Sequence, residues 1–192
     1  MKYLLTLLLL GLGLNLRAQL IIPKPSAVYA SYFGEMITHP GLKIGANYEW
    51  KNWEKEAKKS VIVNRLNLNP SVGFFYHNKY QTGIFILPEF TYSKTNDKGN
   101  YIEYGIGLGY LSTIIPKTFT VTDNGDIKKT ISGHHYLLTN YSITLGKDLH
   151  VTYYRPFRIF AKPQFLLALP NFPNATGYFA LELGLTYQFI DL

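Results

Sequence analysis

The sequence predicts an all-β protein: an antiparallel up-and-down transmembrane β-barrel of about eight strands, preceded by an export leader. Three observations carry that expectation. Apolar and polar residues alternate along most of the chain, which is the period of a strand with two different faces. Aromatics and glycine are abundant, with 16 Tyr, 12 Phe and 16 Gly, while charged residues make up only 16%, a balance that favours strands over helices. Beyond residue 18 no segment approaches the run of about eighteen apolar residues that a spanning helix needs.

Residues 1–18 read as a secretory signal peptide. Lys2 opens it, Leu4 to Leu14 form its apolar core, and Leu16-Arg17-Ala18 ends it ahead of Gln19, the order of parts such leaders share. Residues 19–40 are expected to be an N-terminal extension on the periplasmic side, and residues 41–192 the barrel domain. With no cysteine, neither disulfides nor thiolate metal sites are available. The net charge of +7 includes Lys2 and Arg17 of the leader, and the modest excess is no nucleic-acid signature.

The first strand is expected from Gly41, where Leu42, Ile44, Ala46, Tyr48 and Trp50 alternate with Lys43, Gly45, Asn47, Glu49 and Lys51. Lys51 to Lys59, with Lys51, Lys55, Lys58 and Lys59 beside Glu54 and Glu56, reads as a loop flanked by Trp50 and Trp53. It suits either solvent or lipid phosphates beside an aromatic belt. Leu66 to His77 and Tyr80 to Ser93 alternate in the same way around a turn at His77-Asn78-Lys79, interrupted by Phe85 and Leu87. After a turn at Asp97 to Asn100, Ile102, Tyr104, Ile106, Leu108 and Tyr110 oppose Glu103, Gly105, Gly107 and Gly109. Residues 115–122 and 128–147 are expected to pair around Asp123 to Asp126, with 157–167 and 179–189 as the last two strands. Pro70, Pro88 and Pro163 fall on apolar faces; each deletes a ladder hydrogen bond, and bulges are expected at some of them.

Alternation alone also fits a soluble barrel or sandwich. The position of the aromatics distinguishes them: Ile84, Ile86, Ile106, Leu108, Leu183 and Leu185 hold the middles of runs, while Tyr48, Trp50, Phe74, Tyr76, Phe90, Tyr92, Tyr104, Tyr110, Tyr187 and Phe189 hold the ends. In a meander those ends form two rings, as at the two interfaces of a bilayer. The other face then looks into a narrow lumen. There Glu49, Glu89, Glu103 and Glu182 are candidates to pair with Lys43, Arg158 and Lys162, the alternative being that they face water.

The last run, Ala180 to Phe189, resembles the closing strand of outer-membrane β-barrel proteins, an alternating segment ending in an aromatic, although Ile190-Asp191-Leu192 displaces Phe189 from the terminus. The leader, the Tyr104 to Tyr110 strand and the Asn-Gly turn are also similar to small barrels of Gram-negative bacteria. The resemblance implies residence in the outer membrane, contact with outer-membrane lipid and lipopolysaccharide, and recognition by the barrel-assembly machinery. It brings no catalytic residue with it.

No motif assigns a catalytic, cofactor-binding or metal residue, and no cofactor is expected. Ser132 and His134 are the one close serine and histidine pair, on one face of a strand, but no acid completes a triad. His134 and His135 would point apart, which does not favour a metal. Gly105, Gly107 and Gly109 lie in a strand with no helix after it, unlike a dinucleotide loop, and Asn174-Ala175-Thr176 fits a glycosylation pattern that reads here as loop. The expected role is structural or mediated by loops, without an open pore. The alternatives are a lipid A-modifying enzyme, by acyl transfer or deacylation, and a soluble lipocalin-like carrier.

Overall fold

The computed structural model describes residues 24–35, 39–57, 60–78, 81–121, 127–169 and 175–189. The leader, the tip at Asp123 to Asp126, and Asn174 lie outside them.

Ten strand segments form one closed antiparallel sheet: β1 (Ala27–Glu35), β2 (Gly41–Ala57), β3 (Ser60–Asn69), β4 (Ser71–His77), β5 (Gln81–Ile86), β6 (Glu89–Thr95), β7 (Asn100–Val121), β8 (Ile127–Asp148), β9 (Phe157–Leu169) and β10 (Thr176–Gln188). β1 pairs with β2 on one side and with β10 on the other, which closes the ring. Closure gives every strand of the ring a neighbour on both sides along part of its length.

The ten segments occupy eight positions in the ring. β3 and β4 are one strand interrupted at Pro70, for β2 pairs Gly45 with Ser71 and, in the same register, Tyr48 with Leu68. β5 and β6 are likewise one strand interrupted at Leu87 and Pro88, since their pairings with β7 hold one register on both sides of the gap. A proline has no N–H to give, yet its carbonyl still accepts: Ala46 donates to Pro70 O at 3.1 Å and Leu108 to Pro88 O at 3.3 Å.

The expected bulges fall elsewhere. Register shifts occur at Glu49/Lys51, around Trp50, and at Ile115/Thr118, on either side of Pro116. Beside Pro163 the β8–β9 ladder lapses after Ser142↔Gln164 and resumes at Leu145↔Ala161 without shifting.

Three sequence expectations need correction. Residues 27–35 are a strand of the ring, not part of an extension; their interior face carries Tyr29, Ser31, Phe33 and Glu35, a mixed set that hides the alternation. Residues 115–121 continue β7 and do not form a separate strand, so the expected number of eight survives with two elements exchanged. Lys51 to Ala57 extends β2 and pairs with β3, down to Ala57↔Ser60.

Both described ends of the chain lie at one end of the ring, here called the base. With them are the β2–β3 hairpin, the 96–99 turn and the short helix α1 (Leu149–Tyr153). In the turn Asn96 Oδ1 accepts from the amides of Lys98 and Asn100, and Gly99 takes φ +76°, a conformation open to glycine without strain. Asp148 caps α1 by accepting from the His150 amide at 3.0 Å. The opposite end is the mouth.

The polarity is that of an inverted globule. Ile106, Leu108 and Leu183 are 59%, 57% and 49% exposed, whereas Lys43, Glu89 and Glu182 are fully buried. On β7 the outward row reads Tyr104, Ile106, Leu108, Tyr110, aliphatic between aromatics, and on β10 it ends in Tyr187, with Phe189 exposed just beyond the strand. Tyr141, exposed between Thr139 and Ile143 on β8, departs from that order.

Candidate functional site: the filled lumen and its mouth

The lumen is filled in layers. Nearest the base, Asp148 accepts from Arg158 Nε at 2.8 Å and from Gln188 Nε2 at 3.0 Å. The Arg158 guanidinium stands 5.7 Å from the Tyr101 ring centroid.

The middle layer is a charge network. Lys162 donates to both carboxylate oxygens of Glu89 at 2.8 Å, and Lys43 bridges Glu89 at 2.9 Å and Glu182 at 3.1 Å. Neutral donors occupy the remaining lone pairs: Asn140 and Ser142 give to Glu89 at 2.7 and 3.3 Å, while Ser31 and Gln164 give to Glu182 at 2.7 and 3.1 Å. Two acids against two bases, with further hydrogen bonds to both carboxylates, is the arrangement in which burying charge is offset by pairing.

Of the pairing candidates expected from sequence, Glu89, Glu182, Lys43 and Lys162 come together here. Arg158 pairs instead with Asp148, and Glu49 with Arg65 at 3.2 Å in a half-open position near the base. Glu103 lines a cavity of about 30 Å³ between these layers, beside Tyr29, Asn47, Asn69 and Thr144. Asp148 and Arg65 escaped the sequence reading because neither lies in a clear run of alternation.

Toward the mouth the lumen turns apolar. Phe33, Phe75, Phe85, Leu87, Leu111, Leu138 and Leu166 form one buried cluster, with Phe33 and Phe85 rings 5.0 Å apart. Phe85 and Leu87, the two interruptions of the expected pattern, are apolar residues on the interior face. Their signal is present in the sequence as two apolar residues on the face that carries Gln81, Gly83 and Glu89.

Above this plug, Glu35, His39 and His77 meet. The β1–β2 register continues past the strand end to the bridge Glu35↔His39. The β2–β4 register likewise continues through Tyr76 N to Pro40 O at 2.9 Å, which sets His39 opposite His77. Three neighbouring chain segments therefore place these residues in one row on the interior face. His39 Nδ1 lies 2.5 Å from Glu35 Oε2, and the two imidazoles stack with centroids 3.5 Å apart. One ligand atom from each residue lies within 4.8 Å of the other two. In the sequence His39 falls in the expected extension and His77 in an expected turn, and no local pattern connects them.

Ser132 and His134 do share a face, opposite Ile115 and Thr113 of β7. Among the described residues no carboxylate pairs with His134, whose ring lies 6.3 Å from that of Tyr136. His135 points the other way and meets Tyr110 Oη through Nδ1 at 2.5 Å.

No family model matches the sequence, and no curated protein does. Among solved structures the chain is similar to the outer membrane enzyme PagL, with 11% identity over 85% of this chain and 99% of that one, at a TM-score of 0.49. It is also similar to the N-terminal β-barrel domain of Pseudomonas aeruginosa OprF (13% identity, 86% and 98% covered, TM-score 0.43) and to the β domain of the Bordetella autotransporter BrkA (13%, 87% and 73%, TM-score 0.37).

Proposed function

We propose that the chain is an outer-membrane β-barrel protein of a Gram-negative bacterium, exported by cleavage after Ala18, whose role is structural or mediated by its loops rather than that of an open pore. The observation that carries this reading is the inverted polarity. Aliphatic rows face outward around a ring whose charges are paired inside, as a hydrocarbon solvent requires of a barrel. A soluble carrier would turn those rows inward around its ligand. The charge network and the apolar plug occupy successive levels of a lumen already narrow at eight strands, which supports a sealed interior. Outer-membrane lipid and lipopolysaccharide would then cover the outer face, and the barrel-assembly machinery would read the final strand.

Membrane fractionation tests the location. The protein is expected in the outer-membrane fraction, beginning at Gln19 and migrating faster on gels before boiling than after. Recovery in the soluble periplasmic fraction would reject the reading. Planar-bilayer recordings of the refolded chain test the seal, and a steady conductance would refute it.

A further inference from the structure

We infer that Glu35, His39 and His77 form a three-ligand site at the mouth of the barrel for a divalent transition ion of the zinc type. The inference does not depend on which membrane, if any, surrounds the barrel.

The donor set points to the ion. Two imidazole nitrogens and one carboxylate oxygen suit zinc and its neighbours, whereas calcium and magnesium prefer oxygen alone. Two histidines and a glutamate also make a familiar three-residue zinc set that leaves a fourth position for water.

The spacing supports it. Donors held at about 2.0–2.1 Å around a tetrahedral zinc ion stand about 3.3 Å from one another. The ligand atoms of the cluster lie within 4.8 Å of one another, and one pair is at 2.5 Å, so the cluster has the dimensions of a binding centre once the stacked imidazoles turn toward a common point.

The setting holds the ligands in place. Glu35 is 5% exposed and follows Phe33 on the interior face of β1. His77 follows Phe75 in the same way, and Phe33 and Phe75 both belong to the apolar plug. A buried apolar floor therefore lies beneath two of the three ligands. The next residue in the row, Gln81, pairs with His77 and donates to Tyr178 Oη at 3.5 Å. This places polar groups beside the site, where second-shell support for a metal ligand is needed.

The test uses the full chain refolded in detergent and equilibrated with zinc chloride in excess magnesium chloride. One zinc per folded chain is expected after gel filtration, with affinity falling at least about tenfold in His39→Ala and in His77→Ala and unchanged in His150→Ala. A second measurement needs no variant. Zinc should protect His39 and His77 of the unaltered protein from diethyl pyrocarbonate while leaving His134 and His135 reactive, as mapped by mass spectrometry. Zinc retention equal in all three variants, absence of retention by the folded chain, or no selective protection of His39 and His77 would each overturn the site.

Discussion

Lys162 donates to both carboxylate oxygens of Glu89 at 2.8 Å, in the centre of a lumen where Glu89 has no exposed surface. Glu89 also receives Lys43, so its removal leaves two ammonium groups short of a partner. Glu89→Ala is expected to lower stability by about 3–5 kcal/mol, the usual cost of breaking a buried pair. Glu49→Ala, which loses the half-open partner Arg65 and an exposed hydrogen bond from Asn52, should cost about 0–1 kcal/mol. Urea unfolding of the refolded barrel measures both, and equal losses would contradict the assignment of Glu89 to the central network.

Ile106 tests what surrounds the barrel. It is 59% exposed at the middle of an outward aliphatic row, and an arginine placed at the bilayer midplane costs about 2–4 kcal/mol. Ile106→Arg should therefore lower stability in phospholipid vesicles by about that amount. No change in vesicles would mean that this face does not meet hydrocarbon.

Gly109 tests how closely the strands pack. A Cβ at this position would run into the backbone carbonyl of Ile86 on the neighbouring segment, with Leu87 Cα 2.9 Å away. Backbone yields less readily than side chain, and Gly109→Ala is expected to cost about 1–3 kcal/mol. At Gly177 the nearest atoms belong to the Phe165 ring at 3.1 Å, which can tilt aside. Gly177→Ala should be milder, and a reversed order in urea unfolding would contradict the observed register.

Buried water is expected in the cavity of about 30 Å³ below the charge network. Tyr29 Oη, Asn47 Oδ1, Asn69 Oδ1 and Thr144 Oγ1 border it and have no protein partner among the described residues. Buried polar atoms are nearly always hydrogen-bonded, and such a volume holds about two waters. A high-resolution crystal structure should show them within hydrogen-bond reach of these atoms. A dry cavity there would leave four buried polar groups unexplained.

Much of the architecture is legible in the residues themselves. The two-residue period of Leu42 to Trp50 and of Ile102 to Tyr110 assigns each side chain to a face, because a strand's geometry does so regardless of what it pairs with. The aromatic and aliphatic order along those rows identifies the outward face, and glycines at 105, 107 and 109 mark the crowded one. Four of the seven charged candidates for the interior meet in the central network, while Glu103, from the most regular run, does not, because alternation assigns a face and not a partner.

Pairing partners depend on how the strands align around the ring, and no local pattern carries that information. Residues 27–35 escaped recognition because their interior face mixes Tyr29, Ser31, Phe33 and Glu35, which only a lumen layered into polar and apolar levels can accommodate. Lys43 reaches Glu182, 139 residues away, only because β1 stands between β2 and β10. His39 and His77 become neighbours by the same cause. The period within a strand is local geometry, whereas the closed register that stacks Glu35, His39 and His77 is a property of the whole ring.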